Sequence, residues 1–166
     1  MEKNPYSQYK IRFNDCDMFG HLNNSRYLDY LINAREDHLK DYYEFDLMSY
    51  YKNDQAWVIG SHEITYVRPA IYNEIVFIQS TLLSVTDELL YVETIMMNEK
   101  LNHVKAFMRS KLIPVNIKTG RKEKHPPEFM IWAEQLVNEL VDPKGTLTDR
   151  VKEFTMDLQS QKPPFV

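Results

Sequence analysis

The chain has 166 residues, of which 43% are hydrophobic, 27% charged and 13% aromatic; that is enough for one globular domain, and folding should remove roughly 70% of the surface its unfolded form exposes. A count of 20 Lys and Arg against 24 Asp and Glu gives a formal net charge of -4, so the long-range field repels polyanions. A general nucleic-acid or acidic-membrane coat is disfavoured, and only a local basic patch for one phosphate-bearing ligand stays open.

The single cysteine, Cys16, has no intramolecular disulfide partner, and the five histidines (His21, His38, His62, His103, His125) show no zinc spacing. The expectation is a reducing compartment, the cytoplasm, with no metal. Met1-Glu2-Lys3-Asn4-Pro5 is polar, and no stretch approaches the ~20 apolar residues that span a bilayer, so neither secretion nor membrane spanning is expected.

From Gln8 to Phe13, Tyr9, Ile11 and Phe13 alternate with polar neighbours, which predicts a first strand. A turn-forming run, Asn14 to His21, leads into Leu22–Tyr43, which has no Gly or Pro and places Tyr27, Leu31, Ala34, His38 and Tyr42 on one helical face. Asn23 or Asn24 is placed to cap that helix. After an irregular stretch (44–55) come four β-rich segments, Ala56–Arg68, Glu74–Ser84, Glu88–Asn98 and His103–Val115. The breaks between them are short enough for hairpins, so the expectation is an antiparallel meander. Pro114 should end the last strand or make it an edge, and Lys118-Thr119-Gly120-Arg121 marks a turn.

Pro126-Pro127 can open a second helix to about Leu140, and a third helix is expected at Leu147–Leu158 before a polar end containing Pro163 and Pro164. The class is therefore α+β, an antiparallel sheet against one main helix, with residues 1–140 as the domain and 141–166 as an extension. One helix on one face leaves edges and apolar surface over, which points to self-association.

Phe13 to Tyr27 concentrates acids, amides and a histidine at the strand-to-helix junction. The first N–H groups of a helix lack intrahelical partners and carry partial positive charge, so they can bind a polarised carbonyl oxygen. A carboxylate just before them can face the carbon of that carbonyl, as nucleophile or as base for water. Together these describe acyl transfer, although an ordinary capped turn uses the same residue types.

Asp15-Cys16-Asp17, then Gly20-His21-Leu22-Asn23-Asn24 and Tyr27, resemble the signature of hotdog-fold acyl-CoA thioesterases of the 4-hydroxybenzoyl-CoA thioesterase type. Ile64-Thr65-Tyr66-Val67-Arg68-Pro69-Ala70 and Val115 to Arg121 resemble later segments of that family, in the same order. The resemblance implies five antiparallel strands wrapped around the long helix, and a homodimer or dimer of dimers with the site between subunits. It assigns Asp17 as the catalytic carboxylate and the Asn24 backbone N–H as the donor that polarises the thioester, with His21 beside them and Gly20, Asn23 and Tyr27 around the substrate. No metal or redox cofactor is implied; coenzyme A belongs to the substrate. The His21 to Asn24 run also resembles acyl-carrier-protein thioesterases, but Phe19 stands where their amide would be. A non-catalytic acyl or CoA binder is the alternative from another class.

Duller roles compete for several residues. Asp15 reads as a turn-stabilising acid, Asn23 as a structural cap, and Cys16, flanked by two carboxylates, as a small buried filler rather than a nucleophile. His62 and Glu63 should point to opposite faces of their strand. The turn at Tyr72-Asn73-Glu74 replaces a Gly-Asp pair common in relatives. Arg68, Arg109, Lys111 and Arg121 are the candidates for the CoA phosphates.

Overall fold

In the computed structural model, which describes residues 1–160, the N-terminal alternation forms β1 (Tyr6–Lys10), earlier than the expected Gln8–Phe13. Ile11 is fully buried just beyond it, and a 3-10 turn at Phe13–Asp15 replaces the last expected strand residue, leaving Phe13 exposed. Asn14 and Asp15 favour such turns because their side chains compete for local backbone hydrogen bonds.

The long helix is α1 (Asn24–Tyr43). Asn23 is its cap, with extended backbone and a side chain that accepts the Ser25 N–H at 3.1 Å. Tyr27, Leu31, Ala34 and His38 form its buried face, whereas Tyr42, expected on that face, is exposed and donates its hydroxyl to the Tyr6 carbonyl. Glu44 ends the helix in the left-handed conformation. A short α2 (Leu47–Lys52), capped by Asp46, interrupts the stretch expected to be irregular.

The β-rich segments become β2 (Gln55–Tyr66), β3 (Ile75–Thr86), β4 (Leu89–Asn98) and β5 (Val104–Asn116), all antiparallel to their neighbours. Their order in the sheet is β1-β3-β4-β5-β2. Only β3-β4-β5 is a meander: β2 pairs with β5, so the Pro69–Asn73 link is a crossing rather than the expected hairpin turn. It must pass three strand spacings, about 14 Å, and it is held on the way. The Val67 and Arg68 N–H groups donate to the Lys105 carbonyl, Ala70 N–H donates to the Tyr27 hydroxyl, and Leu22 N–H donates to the Ala70 carbonyl.

Pairing with β4 stops at Leu112 while β5 runs on past Pro114, so the proline sits where the strand becomes an edge rather than where it ends. A two-residue β6 (Arg121–Lys122), reached through Gly120 at positive φ, pairs beside it.

Pro127 opens α3 (Pro127–Glu134), which stops short of the expected Leu140. The chain leaves the helix because Asn138 N–H donates to the Leu82 carbonyl at the edge of the helix-covered layer. Thr146 caps α4 (Leu147–Gln159), close to its expected bounds; the proline-containing end at 161–166 lies outside the described residues.

One face of the sheet packs Val76, Ile78, Met96, Ala106 and Met108 against Tyr27, Leu31 and Ala34 of α1. The expectation of one helix on one face is too simple. Leu147, Phe154 and Leu158 of α4 cover Ile95, Met97 and Phe107 on the opposite face, and α3 closes the far end of the α1 side over Leu82, Leu90 and Val92. The architecture is α+β, with helices on both faces of a single antiparallel sheet.

Candidate active site

The turn between β1 and α1 is built by its own acids. Asp17 Oδ1 accepts the N–H groups of Phe19 (2.9 Å) and His21 (3.1 Å), while Gly20 at φ 73° closes the bend and donates its N–H to the Asp17 carbonyl. Asp15 turns the other way, accepting the Tyr30 hydroxyl at 2.7 Å and lying 3.7 Å from Arg26, so it ties the loop to α1 as a structural acid. Cys16 is partly buried and donates to the Arg12 carbonyl; desolvation, then the charges of Asp15 and Asp17, push its thiol above the ordinary range, which disfavours a thiolate.

Asn24 is the first residue of α1, so its N–H has no acceptor within the helix, and no acidic residue stands in the first turn to offset the positive end of the dipole. Asp17, His21, Asn24 and Tyr27 line one open cleft of about 340 Å³ with Leu22, Tyr66 and Arg68. Four of the six expected site residues therefore meet at one place. The other two support it: Gly20 shapes the turn and Asn23 caps the helix. Asp17 is exposed, whereas Tyr27 is buried, with its hydroxyl occupied by the Ala70 N–H at 2.9 Å.

Tyr66 belongs to this cleft but was not singled out from the sequence. Its ring meets Tyr27 edge-on at 5.0 Å and its hydroxyl donates to the Asn24 carbonyl. The usable signal was the strand alternation Tyr66, Ile64, His62, which sends one side of β2 toward α1.

Farther along α1, beyond the Tyr27–Tyr66 pair, an apolar cavity of about 290 Å³ lies between the helix and the sheet. Leu31, Leu82, Val92 and Met108 form its walls, and Phe45, Trp57, Phe129 and Trp132 close its far end in a cluster of stacked and tilted rings. His62 lines it and bonds Ser110 Oγ at 2.7 Å, with burial lowering its pKa, while Glu63 is exposed on the other face as alternation required. Of the phosphate candidates, Arg109 is excluded: it is buried and paired with Glu93 at 2.9 Å. Arg68, Lys111 and Arg121 are exposed, and only Arg68 borders the Asp17 cleft. Among the described residues no group of three or more His, Cys, Asp or Glu is arranged to hold a metal ion, and no helix is long and apolar enough to cross a membrane.

Comparison with known proteins agrees with the fold. The chain is 36% identical over 76 residues to the long-chain acyl-CoA thioesterase FadM of Escherichia coli strain K12, a match covering 46% of this chain and 56% of that protein, so the chain spans little more than half of that relative's length. The crystal structure of YbaW, a probable thioesterase of Escherichia coli, superposes with a TM-score of 0.69 at 26% identity over 80% of this chain and 98% of that one. The DHNA-CoA thioesterase of Staphylococcus aureus shares the fold at a TM-score of 0.72 and 17% identity, over 79% and 87% of the two chains. The hotdog architecture implied by the sequence motifs is thus the observed one. Because the model of the thioesterase-like superfamily matches residues 11–133, well over half of the chain, the protein belongs to that superfamily.

Proposed function

We propose that the protein hydrolyses acyl-CoA thioesters to a free acid and coenzyme A. The observation that carries this reading is the shared cleft of Asp17, His21 and Asn24 at the start of α1. The Asn24 N–H and the uncompensated helix end polarise the thioester carbonyl. Asp17 then attacks the carbonyl carbon, expelling the CoA thiolate and leaving a mixed anhydride that water cleaves, or it removes a proton from water that attacks directly. Either way, water supplies hydroxyl to the acyl carbon and a proton to the sulfur, and in this reading His21, which lines the same cleft, carries that proton. Gly20 and Asn23 hold the loop and helix start in shape, Tyr27 lines the substrate cleft, and Arg68 at the rim meets a CoA phosphate. The apolar cavity takes the acyl group. No metal or redox group takes part.

The active unit in this reading is a homodimer working in the cytoplasm. β2 is a long edge strand, and Val58, Ile59 and Tyr66 on it, with Val67 just after it, are exposed together with Met18 and Phe19 of the site loop. A second copy would cover both the open edge and this apolar surface.

The test is thiol release from short, medium, long and aromatic acyl-CoAs, with carrier-protein thioesters as a second arm and light scattering for the oligomer. Asp17→Asn should lower kcat at least 100-fold on the best CoA substrate while the circular-dichroism spectrum stays unchanged. Near-normal turnover in that variant, or hydrolysis confined to carrier-protein thioesters, would overturn the assignment. A monomer at assay concentration would overturn the dimer.

A further inference from the structure

The apolar cavity holds a charge that the protein does not neutralise. Arg35 lies on its wall with Leu31, Leu82, Thr94 and Met108. Its Nη1 donates to Ser80 Oγ at 3.2 Å and its guanidinium bonds the Tyr43 hydroxyl, two neutral partners. Among the described residues, the ion pairs are made by Arg26, Lys105, Arg109, Lys118, Lys124 and Arg150, and none by Arg35. Glu36 also borders the cavity but is exposed and unpaired with it.

The contrast with Arg109 is informative. There the same chain buries a guanidinium and meets it with Glu93 at 2.9 Å. Arg35 is half-buried rather than sealed off as Arg109 is, and a guanidinium left without a carboxylate on the wall of an apolar cavity gains when an anion arrives.

The polar groups around Arg35 fix its position without cancelling its charge. Ser80 Oγ accepts from Arg35 and shares a hydrogen bond with His38 Nδ1, 2.7 Å away. The other ring nitrogen, Nε2, is buried and has no partner. His38 is neutral at physiological pH, since burial and then the charge of Arg35 bring its pKa down to about 4. Tyr43, Ser80 and His38 thus form a preorganised neutral frame around the one cation, Arg35.

We propose that Arg35 receives a carboxylate at the distal end of the acyl group, so that the favoured substrates are CoA monothioesters of dicarboxylic acids with an apolar spacer. This rests on the acyl-CoA reading above and narrows it to a substrate class. Arg35 is eleven positions beyond Asn24 on α1, about 16 Å along the helix axis, with Leu31 between them facing the cavity. A medium-length hydrocarbon spans that interval against Leu31 and Met108 and delivers its terminal carboxylate to a planar donor suited to bidentate pairing. The cavity, at about 290 Å³ with apolar walls and a few convergent polar groups, has the make-up of a small-molecule site.

The experiment compares kcat/KM for pairs of medium-chain acyl-CoAs of equal length, one methyl-ended and one carboxylate-ended, in the wild-type full chain, Arg35→Met and Arg35→Lys. The wild type should prefer the carboxylate-ended member at least tenfold. Arg35→Met should abolish or reverse that preference, mainly through KM, and Arg35→Lys should restore part of it. Preference for the methyl-ended member in the wild type, or an equal loss on both members in Arg35→Met, would overturn the proposal.

Binding of the corresponding non-cleavable thioether analogues to the wild type, by calorimetry, gives a second measurement that needs neither turnover nor a folded Arg35→Met. Tighter binding of the carboxylate-ended analogue without thiol release from either thioester would sink hydrolysis and keep the Arg35 assignment. Thiol release with no difference in binding would do the reverse.

Discussion

Asn24 occupies the first position of α1, where proline is tolerated because the N–H there has no helical partner to lose. Asn23, at φ −61° and ψ 136°, already has the extended backbone that a residue before proline requires. Asn24→Pro therefore removes one N–H and a side chain while sparing the helix, and Asn24→Ala removes the side chain alone. If the N–H polarises the thioester, the proline variant should lose about 100- to 1,000-fold in kcat while the alanine variant stays near wild type, with equal helicity by circular dichroism. Equal activity in the two variants would remove the backbone donor from the mechanism. Asp17 and Asn24 could be singled out from the sequence because the family signature that carries them is itself a local run, Asp15 to Tyr27, across one turn and one cap. Arg35 and Tyr66 could not, since what distinguishes each is a partner brought from another element: Ser80 of β3 for Arg35, and Tyr27 and Asn24 of α1 for Tyr66.

Elements obeyed the same division between local and distant causes. The four long strands and α4 could be bounded closely because alternation, helical spacing and Thr146 are properties of consecutive residues. Alternation states which side chains share a face but not which strand lies alongside, so the crossing of β2 to β5 was invisible, as was the early end of α3, which depends on Leu82 of β3. The C-terminal extension shows how a helix is secured by such distant partners. Glu93 of β4 accepts from Arg109 Nε of β5 at 2.9 Å and from Arg150 Nε of α4 at 3.0 Å, while Arg109 Nη1 reaches the Gly145 carbonyl just before α4. The carboxylate and the Arg109 side chain are almost wholly inaccessible. Glu93→Ala would strand the Arg109 charge and release Arg150, so unfolding in urea should show a loss of about 3–5 kcal/mol. A loss below about 1 kcal/mol, the level of an exposed pair, would mean that α4 is held by Phe154 and Leu158 packing alone.

For the molecule as a whole, burial of histidines ties stability to mild acid. His38 is fully buried and its pKa falls from 6.5 to about 4 in the folded chain; burial also lowers His62, His103 and His125. Between those two values the unfolded chain binds a proton at His38 that the folded chain refuses, so stability must fall as pH drops through the window. Above pH 6.5 both states are neutral at this site and the contribution is complete. A displacement of about 2.5 units corresponds to roughly 3 kcal/mol once pH reaches 4, a large share of the 5–15 kcal/mol typical of a domain. His38→Asn keeps an acceptor for the Ser80 hydroxyl and cannot titrate, so its urea-unfolding free energy should vary less between pH 7 and pH 4.5 than that of the wild type, by somewhat less than the full 3 kcal/mol. Protein concentration must be held constant in that comparison, because the self-association proposed above would couple stability to it. Among the carboxylates, Asp87 is held below the ordinary range by its hydrogen bond to Lys124 and loses its contribution as pH falls below the ordinary carboxylate value. Parallel pH profiles for the wild type and His38→Asn would therefore place the acid sensitivity in the other three histidines and remove His38 as its main source.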